Sequence, residues 1–170
     1  LTAVRSATPE NPEFHMDLLV DCGSDNSWYA AGDLAVTCLR GRGCQTLDYL
    51  VLTHFDADHV NGVVTLLARM PVGTLLVPDY EENLFRTEIL QAATRYGVTV
   101  RTVTEAGTYP LGDSVLTVYP PGSDKSGNDG GLSLLCSRGA LDALMTGDMD
   151  SAGERRLLET EELPDIEVLV

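Results

Sequence analysis

A chain of 170 residues is long enough to bury a real core, and 44% hydrophobic with 22% charged residues excludes a disordered chain. Eleven basic residues against 26 acidic ones give a net charge of −15, which argues against a long basic footprint for nucleic acid and fits a solubilising surface. No apolar run is long enough to span a bilayer, since the stretch 62–70 is interrupted by Thr65 and Arg69; residues 1–13 carry Arg5, Glu10, Glu13 and two prolines where a signal peptide needs an apolar core.

After an irregular start, residues 16–20 predict a short strand that ends in the turn Asp21-Cys22-Gly23. Leu34, Ala35, Cys38 and Leu39 fall at helical spacing, with Gly41 as the stop. Residues 47–53 predict a buried strand that delivers His54 at its end. Val60, Val63, Val64, Leu67 and Met70 then line one face of a helix ending before Pro71. A strand over 74–77, a helix with Phe85, Ile89, Ala92 and Tyr96 on one face and Gly97 behind it, and a strand over 98–103 follow. Residues 115–119 predict another strand, and 120–131, rich in Gly, Ser, Asn and Asp, a loop. Residues 132–136 and 141–145 pair as a hairpin through Arg138-Gly139. Ser151 and Glu154 have capping-box spacing for a helix, and 166–170 is an apolar strand. With no repeat or linker, the expectation is one domain over residues 1–170.

The four cysteines show no C-x-x-C pair, which argues against a structural zinc knuckle. Cys38 falls on the apolar face of its helix and Cys136 in a strand, where a small buried hydrophobe is the default. A Cys38–Cys44 disulfide is compatible with a site outside the cytosol, and spacing alone does not establish it.

The chemistry concentrates in Thr53-His54-Phe55-Asp56-Ala57-Asp58-His59. Four of the six residues from His54 to His59 can ligate a divalent metal. A strand end running into the first turn of a helix brings them to one pocket, with the positive helix end near the anions. No Gly-x-Ser-x-Gly elbow or Ser-His-Asp set competes with this site.

This pattern resembles the H-x-H-x-D-H signature of the metallo-β-lactamase superfamily, with Asp56 in place of the second histidine. The resemblance implies an α+β (α/β) fold, the four-layer αββα sandwich, incomplete here at both ends. It also implies that Asp21 is a buried acid that orients the metal loop without ligating, and that Asp148, in Thr146-Gly147-Asp148, bridges two metals. Residues 47–59, Arg40-Gly41-Arg42-Gly43, the block 128–133 and the hairpin running to Gly147-Asp148 are similar to the C-terminal domain of the ComEC family of DNA-uptake proteins, over residues 17–170. That family opens with Asp-Val-Gly-Gln-Gly-Asp, which residues 1–15 lack. It carries His-His-Gly-Ser just after the strand matching 165–170. The three histidines are His15, His54 and His59, so no third-motif histidine lies between His59 and Asp148. His15 is expected to be a surface or packing residue.

The resemblance therefore implies two divalent ions, manganese or zinc: one on His54, Asp56 and Asp148, the other on Asp58, His59 and Asp148. Asp56 makes the first set richer in oxygen, which shifts preference toward manganese. With ligands missing, partial or absent loading, and an inactive fragment, are expected. Asp58 and Asp148 are the expected catalytic carboxylates. Asn128, Asp129 and Ser133 are candidates for orienting substrate, and ordinary turn chemistry accounts for them equally well. Two ions about 3.5–4 Å apart suit hydrolysis of a phosphodiester without a side-chain nucleophile. The resemblance implies a nuclease that acts on a DNA strand during uptake. It would be a soluble domain of a multi-pass bacterial membrane protein, on the outer face or alternatively in the cytoplasm, partnered by that protein's channel portion and making no lipid contact itself. A stand-alone hydrolase of small esters, lactones or thioesters and a non-catalytic docking domain are the alternatives.

Overall fold

The computed structural model describes residues 2–7, 10, 15–26, 30–122 and 126–170. Five strands form a first sheet in the order β1-β2-β3-β4-β5: β1 (Thr2–Ala7), β2 (His15–Val20), β3 (Leu47–Val51), β4 (Val72–Pro78) and β5 (Thr99–Val103). β1 runs antiparallel to β2, and the other pairs are parallel. Helices α1 (Ala31–Gly41), α2 (Ala57–Val60), α3 (Val63–Arg69) and α4 (Leu84–Tyr96) lie in the connections. The second sheet has the order β10-β9-β8-β7-β6, from β6 (Gly107–Leu111), β7 (Ser114–Tyr119), β8 (Ser133–Arg138), β9 (Leu141–Met145) and β10 (Val168–Leu169), with α5 (Ser151–Thr160) between the last two.

The strands read as unbroken apolar runs because both of their faces are buried. Successive residues point opposite ways, so each strand feeds two cores. Leu19, Leu50 and Leu75 pack under α1, α3 and α4, whereas their neighbours Leu18, Val51 and Leu76 meet Leu116, Leu134 and Met145 of the second sheet. Leu135 and Leu144 turn outward again, toward Leu157 of α5. Helix, sheet, sheet and helix thus form the expected four layers.

Several local expectations change. The start is a strand, β1, and β6 is an additional one; its residues alternate between partial burial and exposure and include Pro110, which hides the strand pattern. The helix expected over 60–70 is broken at Asn61-Gly62. Gly62 N donates to Cys22 O at 2.8 Å, and a Cβ on Gly62 would lie 2.5 Å from Gly32 N, so α1 approaches too closely for any side chain there. The buried face of α3 is Val63, Leu66 and Leu67, and Val64 is exposed. Helix α1 buries Gly32, Ala35, Val36 and Leu39, which turns Leu34 and Cys38 outward. All four cysteines are free, so no Cys38–Cys44 disulfide is present. Tyr96 of α4 is likewise exposed. The cap of α5 is Asp150, whose Oδ1 accepts from Ala152 N and Gly153 N, in place of the Ser151 capping box. No helix among the described residues is long and apolar enough to cross a membrane.

Candidate metal centre

The site lies beyond the C-terminal ends of the parallel strands, where loops converge in open α/β sheets. β2 ends into Asp21, β3 into Thr53 to His59, and β9 into Asp148. Asp21 sits in the left-handed region with φ 57°, the only non-glycine to do so among the described residues. A short acidic side chain tolerates that geometry, and such outliers gather at functional sites. Backbone bonds from Asp21 N to Val51 O and from Cys22 N to His59 O tie the turn to the metal loop.

His54 is buried, with 1% exposure, and its Nε2 has no hydrogen-bond partner among the described residues. Its ring stands 4.1 Å, centroid to centroid, from that of His59. His59 Nε2 is 3.2 Å from Asp148 Oδ2 and 3.8 Å from Asp58 Oδ2, and His54 Nε2 is 3.8 Å from Asp56 Oδ2. The structure therefore brings all five expected ligands together. His54, His59 and Asp148 form the tightest group, with one donor atom from each within 4.8 Å of the others. Asp56, Asp58 and Asp148 are about half exposed and line the mouth, while the imidazoles form the floor. The helix that receives the loop, α2, is a single turn of four residues, so the expected contribution from a helix end does not apply.

Electrostatics separate the two imidazoles. Burial, aided by the neighbouring His59, holds the His54 pKa below its usual value. The hydrogen bond from His59 Nδ1 to Asp21 Oδ2, 2.9 Å, raises His59 to about 9 against the opposing cost of burial, with Asp148 and Asp58 adding to the rise. In the metal-free site a proton on His59 thus offsets the acidic mouth.

Asp21 is buried and donates nothing to the metal cluster directly. Its Oδ1 accepts from Thr53 N and its Oδ2 from Thr53 Oγ1, each at 2.8 Å. Sequence reasoning assigned no role to Thr53; the signal was a hydroxyl immediately before the first histidine. It also missed Tyr80, which packs on Phe55 at 5.5 Å and donates to Gly127 O at 3.2 Å. That bond, with Leu132 N to Thr53 O at 2.8 Å, holds the 126–132 segment against the metal loop. Within it, Asn128 opens a single 3-10 turn and is exposed, and the side chain of Asp129 lies outside the described residues; Ser133, which follows it at the start of β8, is buried with an Oγ that has no hydrogen-bond partner among the described residues. Neither Asn128 nor Ser133 makes a side-chain hydrogen bond to the cluster among the described residues. His15 is exposed at the opposite end of β2.

A divalent ion fits this donor set. Two ligands about 2.1 Å from one ion stand about 3.0 Å apart at the right angle of an octahedral site, about 3.4 Å at a tetrahedral angle and at most about 4.2 Å. The observed separations of 3.2 and 3.8 Å fall in that span. His54 Nε2, buried and without a hydrogen-bond partner among the described residues, is an orphaned polar atom that a metal ion would satisfy.

Comparison with known proteins agrees. The chain is 29% identical over 123 residues to ComE operon protein 3 of Bacillus subtilis (strain 168), covering 71% of this chain and 16% of that protein's length. This bears out the ComEC-family resemblance. Rm3 metallo-beta-lactamase superposes with a TM-score of 0.57 at 17% identity over 100% of this chain and 71% of its own. The metal-soaked Flv1 flavodiiron core from Synechocystis sp. PCC6803 gives 0.51 at 19% identity over 76% and 31%. At these identities the two structures establish the fold alone. The model of the metallo-beta-lactamase superfamily matches residues 17–166, nearly the whole sequence, and this chain belongs to that superfamily.

Proposed function

We propose that this chain is the hydrolytic domain of a DNA-uptake protein, and that it cleaves phosphodiester bonds in a DNA strand with two divalent ions. The observation that carries the reading is Asp56 in the place of the second motif histidine, within a chain related to ComE operon protein 3. His54, Asp56 and Asp148 would hold one ion, and Asp58, His59 and Asp148 the other. Bound there, the ions supply Lewis acidity and an activated water near neutral pH. The chain's own part is to orient and to move protons. Asp58, half exposed at the mouth and 3.8 Å from His59 Nε2, is placed to take a proton from the attacking water and return it to the leaving oxygen. Asp21 holds His59 in position. Asn128, Asp129 and Ser133, in and just after the 126–132 segment that Tyr80 and Thr53 hold, would be the groups to orient a substrate strand. Oxygen-rich ligation favours manganese over zinc. Within the parent protein the domain would sit beside the membrane channel on the outer face.

A second reading is hydrolysis of a small ester, lactone or thioester. It is favoured by the net charge of −15 and by three carboxylates at the mouth, both unfavourable to a polyanion until cations bind. The manganese-loaded, full-length parent protein, offered single-stranded DNA and a chromogenic ester, separates the readings. Chelator-sensitive cleavage of DNA supports the first, turnover of the ester alone supports the second, and neither leaves a docking domain.

A further inference from the structure

A buried neutral imidazole must put its proton on one nitrogen, and a metal can use only the other. Asp21 is an acceptor with three donors around it: Thr53 N at Oδ1, and Thr53 Oγ1 and His59 Nδ1 at Oδ2. A threonine hydroxyl has one proton to give. Once that proton points at the carboxylate, Oγ1 has only lone pairs left for His54 Nδ1, which stands 3.0 Å away. His54 Nδ1 must then be the donor, which leaves the lone pair on Nε2, the atom with no hydrogen-bond partner among the described residues.

We propose that Thr53 is a positioning residue that relays Asp21 to His54, fixing the Nδ1–H tautomer and so presenting Nε2 to the metal. One buried carboxylate thereby sets both imidazoles, His59 directly and His54 through the hydroxyl. The threonine is itself held in place on every side. Its N–H bonds Asp21, its carbonyl accepts from Leu132 N at 2.8 Å, and a Cβ at Gly147 would stand 3.4 Å from its Cβ and 3.5 Å from its Oγ1. Gly147, at φ 61°, adjoins Asp148, so the hydroxyl sits where the metal loop and the turn bearing the bridging aspartate meet. Partners that orient a ligating histidine in this way typically govern metal affinity 10–100-fold.

The inference rests on the metal-centre reading, and the test keeps the two apart. Long-range proton–nitrogen NMR of the 15N-labelled, metal-free chain reads the His54 tautomer directly. The Nδ1–H form is expected in the wild type and in Thr53→Ser, which keeps the hydroxyl, with mixing toward Nε2–H in the isosteric Thr53→Val. Manganese titration should show affinity about 10–100-fold lower for Thr53→Val, with Thr53→Ser restoring it. An Nε2–H tautomer in the wild type overturns the relay, and that reading needs no variant to fold. An unchanged tautomer and unchanged affinity in a folded Thr53→Val also overturn it. The Nδ1–H tautomer in a wild type that binds no metal would leave the relay standing and sink the metal-centre reading alone.

Discussion

The two sheets of this molecule are buried to different depths. The outer face of the first sheet is roofed by α1, α3 and α4 over a core that includes Leu19, Leu50, Leu66, Leu75 and Ile89, all at 1% exposure or less. The outer face of the second is covered by one helix, α5, over Tyr119, Leu135, Leu144 and Leu157, with Leu163 and Ile166 packed beside it. Beside α5 a cleft of about 380 Å³, walled by Leu144, Leu158, Leu163, Ile166 and Leu169, leaves apolar surface open. The chemistry is divided just as unequally. The well-roofed half supplies His54, Asp56, Asp58, His59 and the orienting Asp21, and the thinly covered half supplies Asp148 alone. The more deeply covered half carries four of the five candidate ligands and the other half the fifth, so bringing them together depends on the inner core between the sheets.

The largest expected effects test whether both halves are needed for catalysis. In the active, metal-loaded protein, Asp58→Ala removes a proton-moving group, and such groups contribute about 10²–10⁴-fold. Turnover should fall by that much or more while the circular dichroism spectrum stays native. Asp148→Ala should be equally damaging although its residue comes from the other sheet. Near-native turnover in a folded Asp58→Ala protein would sink the mechanism, and near-native turnover in Asp148→Ala would reduce the second half to a passive cover.

Next in size is the contrast in stability. Leu75→Ala opens a cavity in the fully enclosed core and should cost about 2–5 kcal/mol in urea unfolding. Leu157→Ala lies beside the open cleft, where water and neighbouring side chains can fill the space, and should cost no more than the low end of that range, about 2 kcal/mol. Equal losses would mean that α5 is packed as firmly as the other helices.

Which parts were legible in the sequence follows from the same asymmetry. Strands buried on both faces carry a strong apolar signal, so β3, β4 and β7 to β9 emerge within a residue or two of their observed ends. The edge elements do not: β1 is only partly buried over most of its length, β6 alternates between partial burial and exposure, and the place of each is fixed by pairing with a neighbouring strand. The break at Gly62 depends on the backbone of α1 pressing on it, a tertiary fact that no local pattern encodes. The metal cluster was legible because His54 to His59 are contiguous, and Asp148 because of the family resemblance. The relay through Thr53 was not, since it exists only once Asp21 and Thr53, 32 positions apart, share one pocket.

A smaller effect concerns the proton that competes with metal. His59 is raised to about 9 by Asp21 in the metal-free site, above its ordinary 6.5. Its Nε2 must lose that proton to ligate, so binding is weakest at low pH and strengthens as pH rises toward 9, by about tenfold per unit with one proton released per ion at this site. The opposite sign holds for metal-free stability, which gains from the His59–Asp21 pair below 6.5 and loses that gain as pH rises through 9. Manganese titrations at pH 6.5, 7.5 and 8.5 check the first statement. A flat profile would mean that His59 is already neutral or does not ligate.

The smallest effect reads the difference between the halves without disturbing either. Burial pushes Cys22 up to about 12 and Cys44 up to about 11, and raises Cys136 as well, whereas Cys38 is exposed on α1. The thiolate is the reactive form, so at pH 8 an alkylating reagent should label Cys38 first and leave the other three nearly untouched. Cys22 and Cys44 belong to the first core, and Cys136 lies on β8 in the second sheet with 9% exposure. Local opening begins where fewer apolar contacts hold the chain. At urea concentrations below the main transition, peptide mapping should therefore find Cys136 modified ahead of Cys22 and Cys44. Simultaneous labelling of all three would show that the sheets open as one cooperative unit. Earlier labelling of Cys22 would locate the weak point at the turn after Asp21, inside the well-roofed half, and reverse the ranking of the two halves.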